Sequence, residues 1–331
     1  MKTTVTIILS IMAVFLFTAS ALAGSCTTNY PIVFVSGNGF DPTPQTPHQW
    51  GGILEQLERC GAAVTYINWD NKLADIATKT AQLKEEIEGK YDDQGDLIEN
   101  GILQAFDTTH VNLFAHSQGG LVCRQYVSSE GGHNYVKSLT LVDVPNRGME
   151  IARFVESVSW FPLQIANAMF CLEGTAVEGG LKGYFEMTPE NITNNFNPAN
   201  PDHPDVYYQS FSGAMNPNFL FPLDALRACM YAMWNLGDPA QVTFGIFEGI
   251  LHDTNPLIHW FLMGGPNDGT VSVRSAKWGN YLGTQRGPWF FVWLTHGITH
   301  LDITDCSTNS QWDAPAYYQK VVEEELVRRN F

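Results

Sequence analysis

The sequence is short of positive charge. Its 331 residues hold 18 Lys and Arg against 34 Asp and Glu, a formal net charge of −16, which argues against a nucleic-acid backbone or an anionic membrane surface as partner. Cysteine is also sparse, at six positions (26, 60, 123, 171, 229 and 306). None forms a Cys-x-x-Cys pair or a Cys/His cluster at zinc spacing, so a structural zinc fold is excluded. The acidic run Lys84–Glu99 has no EF-hand ligand spacing at Asp92-Asp93-Gln94-Gly95-Asp96 and reads as solvated surface. Internal repeats are lacking, no composition break splits the chain, and no long apolar run follows the first residues. One large domain with a sizeable core is the expectation.

The opening stretch, MKTTVTIILSIMAVFLFTASALAG, has one early lysine, an apolar run and the small-x-small site Ala21-Leu22-Ala23. It predicts a secretory signal peptide over residues 1–23, a domain over 24–331 and an extracellular location. Export permits disulfides, and sequence alone does not choose among the pairings of six cysteines. Cys123 falls in an apolar helical pattern and is expected as a buried thiol.

Short apolar strands alternate with helices. Strands are predicted at Pro31–Val35, Ala63–Trp69, Val111–Ala115, Ser138–Val144, Ile258–Met263 and Phe290–Leu294. A helix is expected with Thr46 as N-cap, Pro47 at its first position and Gly61 past its end, its apolar face being Trp50, Ile53 or Leu54, and Leu57. Others are expected over Asn71–Gly89 and over Ala316–Arg329, the last capped by Asp313. The alternation predicts an α/β fold with a mostly parallel sheet covered on both faces. From about 149 to 240 the rhythm breaks, and this span reads as a helical cap inserted on the sheet.

The most informative segment is VNLFAHSQGGLVCRQYV (111–127). A strand runs into Ala115-His116-Ser117-Gln118-Gly119 and a helix follows at once, a G-x-S-x-G nucleophile elbow with Ala in the first glycine position. Ser117 is therefore the predicted nucleophile, and His116, beside it on a sharp turn, a packing residue. A serine nucleophile needs a base and a group that orients the base. Asp268 follows the predicted strand 258–263, and two histidines, His296 and His300, follow the strand 290–294. Both loops stand in the order Ser, acid, His. Either histidine can be the base on these grounds. A metal site from their H-x3-H spacing needs a helix and a third ligand, and neither is evident.

The strand PIVFV ends in Ser36-Gly37-Asn38-Gly39. A dinucleotide fingerprint needs a third glycine at position 42, which is Pro42. The loop instead suits an oxyanion hole, with the backbone N–H groups of Asn38 and Gln118 as donors and glycines that let the backbone approach a substrate.

These motifs together resemble the secreted bacterial true lipases, the family I triacylglycerol lipases of the α/β-hydrolase superfamily. The matches are Pro31–Gly37, the elbow 115–119, Pro145-Asn146-Arg147-Gly148, Tyr207-Tyr208-Gln209-Ser210-Phe211-Ser212-Gly213, Asn267-Asp268-Gly269-Thr270-Val271-Ser272 and His300-Leu301-Asp302. They occur in family order across nearly all of the chain after the leader. The resemblance implies Ser117 as nucleophile, Asp268 as acid and His300, rather than His296, as base. It also implies a structural calcium on Asp302. The family's second calcium aspartate is Phe221 here, with Asp224 three residues on.

No cofactor is required for the chemistry. The expected partner is a lipid or hydrophobic ester at a lipid–water interface, for a monomer that, like some relatives, can need a dedicated folding chaperone. Large apolar residues of the insertion, among them Phe154, Trp160, Phe161 and Phe170, make it a candidate lid over an acyl pocket. A depolymerase for hydrophobic polyesters of the polyhydroxyalkanoate type is the competing enzyme, and a non-catalytic hydrolase-fold binding protein the competing class.

Overall fold

The structure, a computed structural model, describes residues 25–39, 42–44, 46–150, 152–153, 183, 185–215, 265–287, 297–306 and 312–331. Among the described residues the central element is a six-stranded sheet. The strands are β1 (Ile32–Val35), β2 (Val64–Ile67), β5 (Val111–His116), β6 (Val136–Val142), β7 (Tyr207–Gly213) and β8 (Asn280–Gln285). They lie in the order β2-β1-β5-β6-β7-β8, and all five pairings are parallel. A small antiparallel hairpin, β3 (Lys90–Tyr91) and β4 (Leu97–Glu99), is exposed in the acidic run.

Runs such as IVFV and VNLFAH have no alternation because both sheet faces are buried. On one face lie α2 (Ile76–Glu88) and α3 (Gln118–Ser129), sharing a core with Val33, Val35, Leu113 and Ala115. On the other lie α1 (Ile53–Arg59) and α4 (Ala314–Val321), around Phe34, Phe114, Trp50 and Tyr318. The register aligns Val35 with Ala115, and His116 with Val142. The residues just past the carboxyl ends of three adjacent strands, Ser36, Ser117 and Asp143, thus emerge side by side, where open parallel sheets bind their ligands.

Several boundaries differ from expectation. The first helix begins at Ile53, with Gly52 rather than Thr46 at its cap. The preceding chain turns because the Gly52 N–H donates to the Asp305 carboxylate at 2.8 Å, a contact made 253 residues away. Trp50, Ile53, Leu54 and Leu57 are buried nonetheless. Asp75, not the chain near Asn71, caps α2 by accepting the Thr78 N–H, and Gly89 ends it at φ 92°. Asp313 caps α4 as expected, and the helix begins at Ala314. β6 starts at Val136 and stops at Val142, since Asp143 has φ 45°. β7 lies inside the span read as insertion, yet it is a sheet strand between β6 and β8. β8 was not foreseen, and the strands expected at 258–263 and 290–294 lie outside the described residues, as do most of the cap and Phe154, Trp160, Phe161 and Phe170.

Candidate active site

Ser117 stands between β5 and α3 at φ 53°, ψ −132°, a conformation that non-glycine residues seldom hold. The Val142 carbonyl accepts its N–H at 3.0 Å. Packing explains the small residues around it. A Cβ on Gly119 would come 2.3 Å from the Ser36 carbonyl oxygen, and one on Gly120 2.1 Å from the Val144 side chain. Gly37 faces the elbow from the neighbouring strand end, where a Cβ would meet the His116 ring at 2.9 Å and the Ser117 Cβ at 3.0 Å.

Asp268 and His300 are brought together twice. The Asp268 Oδ2 lies 2.5 Å from His300 Nδ1, and the His300 N–H donates to the Asp268 carbonyl at 2.9 Å. The other carboxylate oxygen, Oδ1, accepts the N–H groups of Thr270 and Val271 at 2.8 and 2.6 Å. Asn-Asp-Gly is thus a turn and an acid at once. Burial alone would push the Asp268 carboxyl up, but the His300 ring and its bond, with the Val271 and Thr270 N–H groups, hold it below the usual carboxylate range. His296 lies outside the described residues.

His116 packs as expected, and its ring leans on His300 with centroids 4.4 Å apart. Burial holds the His116 imidazole well below its ordinary pKa, so it stays neutral. Its Nδ1 is 2.8 Å from Gln49 Nε2, while Gln49 Oε1 accepts the Gly37 N–H at 2.8 Å. One buried carboxamide therefore ties the loop after β1 to the ring that supports His300.

The Asn38 loop is held from several sides. Trp69 Nε1 donates to the Ser36 and Gly37 carbonyls at 2.9 and 3.1 Å, and the Gly39 N–H to the Lys72 carbonyl at 3.0 Å. Beneath it lies Lys79, only 1% exposed. Its ammonium donates to Gln118 Oε1 at 2.6 Å, to Asn38 Oδ1 at 2.9 Å and to the Lys72 carbonyl at 2.9 Å. All three of its protons are used, and one cation grips the side chains of both residues whose N–H groups are the expected oxyanion donors. Burial pushes Lys79 down to about 7, against the opposing pull of Asp75 and Glu186. Lys79 and Gln49 escaped the sequence reading. The available signal for Lys79 was its place at helical spacing with Ile76, Leu83 and Ile87 on the buried stripe of α2.

Asp302 serves the turn that carries His300. Its carboxylate accepts the Thr299 N–H at 3.0 Å, and its own N–H donates to Thr299 Oγ1 at 3.1 Å. Among the described residues no group of three or more His, Cys, Asp and Glu side chains includes Asp302. Phe221 and Asp224, the other positions of the expected calcium site, lie outside the described residues. Cys26 and Cys60 form a disulfide with Cα atoms 5.1 Å apart. Cys123 is a buried thiol, as expected.

The alpha/beta hydrolase fold family model matches residues 30–237. Among curated proteins, the chain is 24% identical to triacylglycerol lipase 2 of Saccharomyces cerevisiae over 68% of its own length and 55% of the yeast protein's. It is 33% identical to a triacylglycerol lipase of Pseudarthrobacter phenanthrenivorans over 40% of its length and 38% of that protein's. The chain thus spans about half or less of the length of these relatives. Among solved structures, Staphylococcus hyicus lipase superposes with a TM-score of 0.57 at 13% identity, covering 91% of this chain and 96% of the other. Lipase 1 from Pelosinus fermentans does so with a TM-score of 0.55, again at 13% identity, over 91% and 99%. With its parallel sheet, its serine on a strand-to-helix elbow and a matching family model over more than half its length, the chain belongs to the alpha/beta hydrolase fold family.

Proposed function

We propose that this protein is a serine carboxylic ester hydrolase, a lipase that cleaves long-chain acyl esters through an acyl-enzyme on Ser117. The observation that carries the reading is the buried Asp268–His300 pair, whose imidazole packs on the residue next to a serine held at positive φ. The names of the curated relatives, triacylglycerol lipases, support the substrate class.

In this reading Ser117 Oγ attacks the ester carbonyl as its proton passes to His300 Nε2. Asp268, bonded to Nδ1–H, fixes the tautomer and stabilises the imidazolium. The N–H groups of Asn38 and Gln118 receive the charge that develops on the carbonyl oxygen. The imidazolium protonates the departing alcohol, and a water deprotonated by His300 then releases the fatty acid and restores the serine. The lid expected from the sequence remains part of this reading outside Tyr207–Gly213, which is a strand of the sheet. Residues 1–23 direct export, a reading supported by the Cys26–Cys60 disulfide, which suits an oxidising compartment.

A fluorophosphonate probe tests the nucleophile. The native protein is labelled and Ser117→Ala is not; labelling that survives the substitution overturns the assignment. His300→Ala removes nearly all turnover while His296→Ala is mild, and the opposite ranking reassigns the base. Turnover rises with acyl length and on emulsified triolein. Preference for soluble acetyl esters with no gain on emulsions defeats the lipase reading, and release of monomers from a polyester film with poor triolein turnover favours the depolymerase.

A further inference from the structure

Asp143 ends β6 beside the elbow, fully buried and in the left-handed region at φ 45°. Both its carboxyl oxygens accept one donor, the Gly213 N–H of β7, at 3.0 and 2.9 Å. A single N–H is little compensation for a buried anion, which offers about four acceptor sites. The groups that face it are the Asp268 carboxylate and the His300 ring, with which it forms a cluster whose ligating atoms all lie within 4.8 Å of one another, and the phenols of Tyr281 on β8 and Tyr318 on α4. The imidazole is already bonded to Asp268. Two carboxyl groups thus share one imidazole. Burial, and after it the charge of Asp268, pushes the Asp143 carboxyl well above its usual range, while Asp268 is held below. Such divergence is the signature of a carboxyl pair holding one proton.

We propose that Asp143 is a positioning residue for the reaction: a neutral carboxyl whose O–H donates to Asp268 and fixes that carboxylate against His300. The inference rests on reading Ser117, Asp268 and His300 as the triad. One proton on the pair leaves a single negative charge facing the imidazole, which is cancelled when His300 accepts the Ser117 proton. A second charge would have no partner there among the described residues.

Two substitutions test it on a soluble p-nitrophenyl ester. Asp143→Asn keeps a donor for Asp268 and an acceptor for the Gly213 N–H, and is expected to stay within about fivefold of wild-type kcat, with the acid limb of kcat/KM unmoved. Asp143→Leu removes the donor and lowers kcat about 10- to 100-fold, the worth of one hydrogen bond to a charged group, with KM nearly unchanged. A folded Leu variant with wild-type kcat, or an Asn variant as impaired as Leu, overturns the proposal. So does an acid limb shifted down by about one pH unit in Asp143→Asn, which would mean that a negative charge had been removed. Urea unfolding gives a readout independent of activity. The open chain releases the Asp143 proton above its ordinary pKa of 3.8 while the folded chain keeps it. As pH rises above 3.8 the folded-to-unfolded ratio of the wild type therefore falls relative to Asp143→Asn, by at most about tenfold per pH unit for one proton, and a flat comparison overturns the neutral carboxyl even where the Leu variant does not fold. Turnover retained by Ser117→Ala is a separate failure, that of the triad reading itself.

Discussion

The Nζ of Lys79 stands 2.6 Å from the Oε1 of Gln118, and the same ammonium donates to Asn38. A helix on one face of the sheet thereby sets the two backbone segments whose N–H groups are the proposed oxyanion donors. Lys79→Met keeps the length of the stem and removes the three protons. It is expected to lower kcat by roughly 10- to 1000-fold, bounded by the loss of one oxyanion donor, with a smaller change in KM. Steady-state kinetics on a soluble ester checks this, and an unchanged kcat would show that the loop holds its shape without the cation.

The same lysine has a consequence for stability. Its proton is held less tightly in the fold, at about 7, than at its ordinary 10.5, and burial is the cause. Below pH 7 both the folded and the open chain are protonated and the fold bears the whole desolvation penalty. Between pH 7 and about 10 the open chain carries more protons, so this penalty shrinks as pH rises. The unfolding free energy of Lys79→Met relative to wild type is therefore expected to be most favourable below pH 7 and to decline steadily towards pH 10. Urea titrations of both proteins across that range measure the slope, and a slope of the opposite sign would contradict the assignment.

What the sequence revealed follows how local each cause is. The elbow was legible because strand, small-flanked serine and helix are contiguous in sequence, although the contacts its glycines answer come from the ends of other strands: Gly119 must clear the Ser36 carbonyl, and Gly120 must clear Val144. The Asp268–His300 contact was legible through the N-D-G and H-L-D motifs of the family resemblance, while the strands expected before them lie outside the described residues. The start of α1 was not, since Asp305, far along the chain, turns the backbone before Gly52 and overrides the proline signal at Pro47. β8 escaped because Asn280–Gln285 is half-exposed and polar, without the apolar run that marks β1 and β5. Gln49 has no sequence signature; its role exists only because Gly37 and His116 converge on it.

Gly119 makes the steric argument testable. Gly119→Ala places its Cβ 2.3 Å from a carbonyl oxygen of the neighbouring strand end, and backbone cannot yield there without moving Ser36 or Ser117. The expected loss is about 1–3 kcal/mol of stability, the usual range for overpacking, together with a fall in turnover larger than stability alone explains. Thermal melts and fluorophosphonate labelling rates separate the two effects. A variant that melts and labels like wild type would mean that the elbow tolerates a side chain at this point.

The Cys26–Cys60 bridge lies at the other end of β1, where the Cys26 N–H also donates to the Cys60 carbonyl at 3.0 Å. It closes a separation of 34 residues, and the chain-entropy account assigns such a loop about 3 to 4 kcal/mol of stabilisation. Replacing both cysteines by alanine is therefore expected to lower the melting temperature by roughly 5–10 °C. The sheet separates the bridge from the elbow, since the bridge precedes the first residue of β1 and the site follows the last. The double variant should accordingly keep wild-type kcat and KM at 25 °C while it unfolds earlier. Melting curves and kinetics on the same preparation check both halves. A loss of kcat in the folded double variant would show that the anchor of β1 is felt at Gly37 and Asn38, four strand residues away.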